Sequence, residues 1–229
     1  MENTGTLAAV TAYHGLRQGS RLPRQAGATH PTGFAPLDRA LDGGLPEAGL
    51  VEVVAPRGGL SSFMHRLAAT RTRAGEDAAW LDPGCCLDIA GLEAAGTDLA
   101  RLLWIPAGQV RALPALVDML LGSGIVPLIL LDLAHAPRTS DMPQGLPAWI
   151  RLARRAESHR VLLVTGTRQP TAGAAAHTTL LLDPPRPCWQ GQGRTPRTLE
   201  GADLGMHVTR RRHGQASGRP DHVHLDLDA

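Results

Sequence analysis

Short apolar segments alternate with amphipathic segments through most of this chain, and this alternation restricts the possible folds more than any other feature of the sequence. The predicted strands cover residues 50–54, 78–81, 102–105, 126–132, 161–164 and 178–182. The predicted helices between them cover residues 62–74, 87–95, 110–121 and 146–158. Strands and helices that alternate in this way form βαβ units. The sequence therefore predicts an α/β fold with a mostly parallel sheet flanked by helices.

One predicted strand indicates where the centre of that sheet lies. Residues 126–132 form a continuous apolar run that ends on Asp132. Strands buried on both faces, as in the middle of a parallel sheet, have this composition. A carboxylate at the end of such a strand would lie at the carboxyl edge of the sheet, where folds of this class bind their ligands.

The composition divides the chain into three parts. Residues 1–28 are polar and weakly periodic, and we predict a flexible tail there, with a short helix at 7–16. Residues 29–183 hold the alternating pattern and are predicted to form the core domain. Residues 184–229 are rich in Pro, Gly and Arg. We predict that this basic segment ends in an antiparallel hairpin with strands at 206–211 and 223–227.

The composition also excludes several classes of protein. Hydrophobic residues make up 43% of the 229 residues, enough for a sizeable core, and a net charge of +2 does not by itself indicate nucleic-acid binding. Three cysteines without a C-x-x-C pair predict neither a disulfide framework nor a metal site. The sequence contains no secretory signal and no apolar run of 18 residues, so we expect a cytoplasmic protein.

The segment after the first core strand has the layout of a phosphate-binding loop but lacks its key residues. Such loops follow the pattern G-x-x-x-x-G-K-[ST], in which backbone N–H groups and the Lys hold phosphate. The corresponding residues here are Ala55, Pro56, Arg57, Gly58, Gly59, Leu60, Ser61 and Ser62. Only Ser62 matches the pattern at its defining positions. All 23 basic residues are Arg, so no Lys elsewhere in the chain can substitute.

Several segments together resemble the core of the RecA recombinase family, from Thr32 to about Asp226. They are the lead-in "TGFAPLDRALDGGLPEAGLVEV", the Asp-ended strand "PLILLD", the segment "QGLPAWIRLARRAESHRVLLV" and the late basic strand "MHVTRRRHG". Within that superfamily the short length and altered loop are most similar to ImuA, an accessory protein encoded beside the ImuB polymerase homologue in many bacteria. The resemblance implies a RecA-like fold.

The resemblance also shows which catalytic residues are missing. The phosphate-loop Lys of the family corresponds to Ser61, its water-orienting Glu to Gly84, and its Gln sensor falls near Thr167. Asp132 keeps the Walker B position, where it could bind Mg²⁺ through water or serve as a hydrogen-bond acceptor at the sheet edge. Phosphoryl transfer depends on positioning and charge stabilisation. We therefore expect no ATP hydrolysis, no tight ATP binding and no cofactor, although Arg57 could approach a phosphate.

Two groups of Arg residues are candidates for binding DNA or a partner protein. The first is Arg210, Arg211 and Arg212, in a segment (184–220) with seven Arg against Glu200 and Asp203. These residues could hold a DNA backbone or form a solvated basic hairpin. The second is Arg151, Arg154 and Arg155, on one side of a predicted helix, which could be a partner or DNA face or a solvated face.

The resemblance to ImuA implies a non-catalytic function. We expect an accessory protein of the SOS response and damage-induced mutagenesis that binds RecA, the assembly of ImuB with an error-prone polymerase, or both, and so supports translesion synthesis. Two alternatives remain open at this point. One is a weak RecA-type ATPase with a non-standard loop, and the other is a cell-division inhibitor similar to SulA.

Overall fold

A computed structural model describes residues 28–106, 113–136, 145–191 and 197–212, and the backbone of 221–226. The tail at 1–27, with the helix expected at 7–16, lies outside the described residues. Five α-helices are described: α1 Ala35–Ala40, α2 Leu60–Arg73, α3 Ile89–Ala94, α4 Leu113–Ser123 and α5 Leu146–Ser158. No helix in the described ranges is long and apolar enough to cross a bilayer.

Eleven strands are described alongside these helices. In chain order they are β1 Thr29–His30, β2 Leu45–Pro46, β3 Gly49–Val54, β4 Ala78–Leu81, β5 Leu102–Ile105, β6 Leu128–Asp132, β7 Leu162–Thr167, β8 Thr178–Leu182, β9 Arg186–Gln190, β10 Thr198–Arg211 and β11 Asp221–Asp226. Strands β1 and β2 pair with each other in a separate two-stranded sheet.

The main sheet confirms the predicted fold class. Its strand order is β5-β4-β6-β7-β3-β8-β10-β11, and β9 also pairs with β10. The first six strands in this order are parallel to their neighbours, and β9, β10 and β11 pair antiparallel. The result is a RecA-like α/β fold with antiparallel strands near the C-terminus.

Two apolar clusters cover the two faces of the sheet. One joins α1, α2 and α3 to side chains such as Val53 and Leu130. The other joins α4 and α5 to side chains such as Leu50 and Leu131. Every residue of β3, β4, β6 and β7 is buried, because helices cover these strands on both sides. The carboxyl ends of the four strands therefore meet at one edge between the two helical layers.

The C-terminal segment contains the predicted antiparallel hairpin, but with a different register. Strand β10 has 14 residues, and β11 pairs with residues 201–206 of it. Of residues 206–211, predicted to pair with the last strand, only Met206 pairs with β11, and the segment lies along β8 instead. Strand β9 then follows β8 along the same side of β10, after a break at Pro184 and Pro185. A proline has no N–H to donate, which accounts for the break. The first half of β10 consequently extends past the carboxyl edge.

Candidate functional site at the carboxyl edge of the sheet

The loop that corresponds to a phosphate-binding loop occupies residues 55–59, between β3 and α2. The amide of Ala55 donates to the carbonyl oxygen of Thr167 in β7, at 2.8 Å. Gly58 and Gly59 have φ values of +112° and +85°, in the region that glycine adopts without strain. The turn therefore keeps its two central glycines because its backbone requires them. Its geometry joins strand to helix as the sequence predicted.

Leu60, at the second glycine position of the pattern, is a core residue. Its side chain is 2% exposed and belongs to the cluster between the sheet and α2. It packs on Gly166 in β7, where a Cβ would lie 2.5 Å from Leu60 Cδ2. Gly166 is thus required by the close approach of the leucine. Leucine in place of the second glycine of the pattern therefore makes an apolar contact beneath the loop.

The C-terminal segment packs against the other side of the loop. A Cβ at Gly59 would lie 2.7 Å from Leu204 Cδ1 in β10 and 3.6 Å from Pro185 Cγ. Pro185 also approaches Gly58, within 3.7 Å of a Cβ there. The extension of β10 past the sheet edge brings Leu204 to this place. Residues more than 120 positions away in the sequence therefore fill the space beside the two glycines.

The polar residues of the loop remain on the surface. Arg57, Ser61 and Ser62 are exposed, the two serines on the first turn of α2. No side chain caps the N-terminus of α2. Within the described ranges, no hydrogen bond or ion pair fixes the Arg57 guanidinium. The loop consequently presents backbone amides and hydroxyl groups, and no cation held in place toward them.

Asp132, at the Walker B position, is 5% exposed and hydrogen-bonded to the turn that follows it. Its Oδ1 accepts from the amides of Ala134 and His135, at 3.0 and 3.3 Å. Its Oδ2 lies 2.8 Å from His135 Nδ1. Both carboxylate oxygens therefore bind the chain itself, which matches the hydrogen-bond acceptor considered for this position. A metal ion would have to compete with these contacts.

Gly84, at the position of the water-orienting Glu, has no space for a side chain. A Cβ there would be too close to the carbonyl oxygen of His135 and would lie 3.0 Å from His135 Cβ. The turn after β6 thus fills the place into which a glutamate would extend. The absence of a glutamate at Gly84 and the Asp132–His135 contact therefore both depend on the turn after β6.

A buried carboxylate, Asp82, organises the turn after β4. It is 1% exposed and accepts from the amides of Cys86 and Leu87, at 3.1 and 2.9 Å, and from Trp104 Nε1 at 3.3 Å. These bonds hold the turn that carries Cys85 and Cys86, both of which are exposed free thiols. The function of Asp82 is therefore structural, because its hydrogen bonds all go to neighbouring parts of the fold.

His65 lies in α2 beneath this edge and is 8% exposed. Its ring packs against Trp80, with ring centroids 5.5 Å apart. Burial lowers the pKa of His65 below its usual 6.5, and the nearby carboxylates of Asp88 and Asp132 oppose that shift. The imidazole is consequently neutral at pH 7 and packs as an aromatic core group.

Sequence reasoning did not identify Glu52, a fully buried carboxylate in the middle of β3. Its Oε1 accepts from the amides of Thr171 and Ala172, at 2.6 and 2.8 Å, and from the Thr171 hydroxyl at 3.0 Å. Glu52 thereby anchors the loop that follows β7. Its Oε2 and the hydroxyl of Thr165, its neighbour in register, are buried without a hydrogen-bond partner. The sequence signal that could have revealed Glu52 is its charge within the otherwise apolar run 50–54.

The Arg210–Arg212 group lies at the opposite, amino edge of the sheet, and each guanidinium is engaged by the chain. Arg210 donates to the carbonyl oxygens of Gly173 and Ala176. Arg211 pairs with Asp42 at 2.6 Å and donates to the Leu41 carbonyl at 2.7 Å. Arg212 pairs with Glu157 at 2.5 Å. These contacts connect β10 to neighbouring elements of the fold.

The Arg151, Arg154 and Arg155 group lies on the outer face of α5, as its spacing predicted. Arg155 forms an ion pair with Asp118 in α4, at 3.2 Å, and its guanidinium lies over Gly122. Arg151 and Arg154 are exposed. The structure thus keeps these two Arg groups at separate places, and neither lies at the carboxyl edge. No cluster of three or more His, Cys, Asp or Glu side chains that could hold a metal ion occurs among the described residues.

Comparison with known proteins relates the chain to RecA. No family model matches it. It is 36% identical over 106 residues to the RecA protein of Synechocystis sp., covering 45% of this chain and 30% of that protein. It is 29% identical over 161 residues to RecA of Lactobacillus acidophilus (68% and 44%) and 31% over 164 residues to RecA of Salinispora arenicola (70% and 47%). The chain therefore has a RecA-like superfamily relationship and spans less than half of these relatives.

Proposed function

We propose that this chain is a non-catalytic, RecA-like accessory protein of DNA damage-induced mutagenesis, similar to ImuA. In this proposal it binds RecA, the assembly of ImuB with an error-prone polymerase, or both, and acts in the cytoplasm. The observation that supports the proposal is the side-chain packing at the carboxyl edge of the sheet. There Leu204 packs against Gly59 of the loop, the turn at His135 occupies the space beside Gly84, and Leu60 is buried in the core at a glycine position of the pattern.

The magnitude of the missing interactions supports a function without catalysis. Removing one electrostatic group from an active site costs roughly 10²–10³ in rate. Here the position of the Lys is Ser61 and that of the Glu is Gly84. Two such losses reduce turnover by about 10⁴–10⁶. Binding of other proteins requires none of these groups.

The edge strand β5 offers a surface for such a partner. Among the described strands, none pairs with its outer side. Leu103 and Trp104 are 49% and 44% exposed, and Leu99 just before the strand is 37% exposed. An open strand edge with apolar side chains on both faces suits a partner that adds an extended segment to the sheet. This surface would remain available in a RecA-like core that does not use ATP.

Partner binding can be tested by retention on immobilised RecA and, separately, on the immobilised ImuB–polymerase assembly. We expect wild type to be retained by at least one of them and the double variant Leu103→Ser/Trp104→Ser to lose retention. The matched control is Ile125→Ser/Leu146→Ser, which removes two exposed apolar side chains elsewhere. Failure of wild type to bind either partner would reject the proposal. Equal loss in the control would reject β5 as the surface.

A separate measurement tests the expected lack of ATP binding and hydrolysis. We expect isothermal titration with Mg-ATP to give no low-micromolar binding, and a phosphate-release assay to give no turnover above the buffer blank. Addition of single-stranded DNA should not change either result. Turnover that disappears in the variant Asp132→Asn would instead support the alternative of a weak RecA-type ATPase.

A further inference from the structure

A groove between α4 and α5 has no function in the proposal above. It has a volume of about 740 Å³ and lies on the side of α5 opposite to its buried face. Its lining consists of Pro114, Ala115, Asp118, Arg151, Arg154, Arg155, Ser158 and His159. Three guanidinium groups therefore face one carboxylate along a short stretch of surface. The groove is separate from the carboxyl edge and from β5.

The guanidinium groups of this groove are not equivalent. Arg155 is held by the ion pair with Asp118 and rests over Gly122, where a Cβ would collide with its Nη2 atom. Asp118, the one carboxylate among the described lining residues, is therefore already close to a guanidinium, although Arg155 Nε makes no hydrogen bond with it. Arg151 and Arg154 lie one turn apart on the same face, exposed. The groove thus combines two available guanidinium groups with a fixed third.

The opposite wall of the groove, on α4, is partly apolar. Pro114 and Ala115 lie on it beside Asp118, and Met119, one turn after Ala115, lies just outside the lining and is 61% exposed. A nucleic acid would use the basic wall, but His159 is the one ring among the described lining residues, and no Trp, Tyr or Phe adds a stacking ladder for successive bases. A small anion would remain largely in solvent in so open a groove. An acidic peptide with apolar side chains can use both walls, since Arg binds carboxylates in a bidentate manner.

We propose that the groove between α4 and α5 binds an acidic, partly apolar peptide segment of a partner protein. Carboxylates of the peptide pair with Arg151 and Arg154, and its apolar side chains lie on Pro114, Ala115 and Met119. This site is independent of the edge strand β5. A failure to bind RecA or ImuB would therefore not contradict peptide binding in the groove. A failure to bind the peptide would likewise not contradict the proposed β5 surface.

The test uses the full chain and a fluorescein-labelled 12-residue peptide of alternating Glu and Leu, with fluorescence anisotropy as the readout. We expect saturable binding that weakens as salt increases. The variant Arg151→Glu/Arg154→Glu should bind about tenfold more weakly. The control Arg39→Glu/Arg186→Glu makes the same change of charge at exposed positions of α1 and β9 and should bind within about twofold of wild type.

A second pair of measurements separates peptide from nucleic acid and charge from apolar contact. A 12-nucleotide single strand should compete weakly, and the variant Met119→Ser should reduce peptide affinity while leaving binding of poly-Glu unchanged. No saturable peptide binding, equal losses in the charge variant and its control, or stronger binding of the oligonucleotide than the peptide at the same groove would each overturn the proposal. Circular dichroism of the variants confirms that they are folded.

Discussion

The loop after β3 and the edge strand β5 lie at two borders of the same sheet, but they differ in how far other residues bury them. Around the loop, Leu60 packs on Gly166 in β7, and Leu204 packs against Gly59. At β5, Leu103 and Trp104 are about half exposed. Leu60, at the second glycine position of the pattern, is thus a core residue, whereas Ser61, at the lysine position, is exposed. Among the described strands none pairs with the outer side of β5, so side chains pack closely around the loop and leave this edge of the sheet half exposed.

The largest expected effect is at Leu60. The substitution Leu60→Ala removes a side chain that is 2% exposed and should lower the free energy of unfolding by about 2–5 kcal/mol. Urea denaturation measures this change. The control Leu103→Ala, at a half-exposed position, should cost less than about 1 kcal/mol. Similar costs at both positions would show that the loop is no better packed than the open edge.

Restoring the missing glutamate should destabilise the protein rather than activate it. The substitution Gly84→Glu places a Cβ against the backbone of His135, and overpacking of this kind costs roughly 1–3 kcal/mol. We expect a lower thermal midpoint and no phosphate release from ATP. The comparison variant Gly75→Ala has free space around its Cβ but a φ of +88°, so it reports the backbone cost alone, about 1 kcal/mol. Turnover in Gly84→Glu would contradict this interpretation.

His65 should make the packed edge sensitive to acid. Burial lowers its pKa in the folded state, so the unfolded chain takes up a proton first as the pH falls below about 6.5. The free energy of unfolding should therefore decrease from pH 6.5 downward, by at most about 1.4 kcal/mol per pH unit from this group. The variant His65→Gln should lose that part of the slope. Identical pH profiles of the two proteins would assign the acid sensitivity to other groups.

The smallest expected effect on stability is at the open edge itself. The substitution Leu103→Ser should change the free energy of unfolding by less than about 1 kcal/mol, because half of the side chain is already in water. The matched substitution Leu131→Ser, at a fully buried position of β6, should cost several times more. A large cost at Leu103 would indicate that another part of the chain covers β5.

Much of the fold could be predicted because its signals are local. The alternation of apolar and amphipathic segments identified β3 to β8 and the helices α2 to α5, with described ends that shifted by a few residues, and the predicted start of α4 at 110–112 lies outside the described residues. Strand β6 begins at Leu128 rather than at residue 126, since Pro127 cannot donate to the ladder. Strand β9 and the first half of β10 were missed, because polar residues and prolines conceal an antiparallel pair that extends beyond the core.

The residues missing from the candidate site could be predicted from the sequence, but the residues that pack in their place could not. A comparison of single positions revealed Ser61 and Gly84, because each corresponds to one residue of a known pattern. The contact of Leu204 with Gly59 depends on the path of β10, which no local pattern specifies. The same limit applies to Arg211, whose pairing with Asp42 joins residues 169 positions apart.

The position of Leu204 within β10 has a consequence for the motions of this protein. Five register pairs join β10 to β8, so Leu204 cannot leave the loop far without breaking hydrogen bonds in the sheet. Amide protons in the paired parts of β8 and β10 should therefore exchange with solvent only in openings that separate the two strands, with one shared free energy.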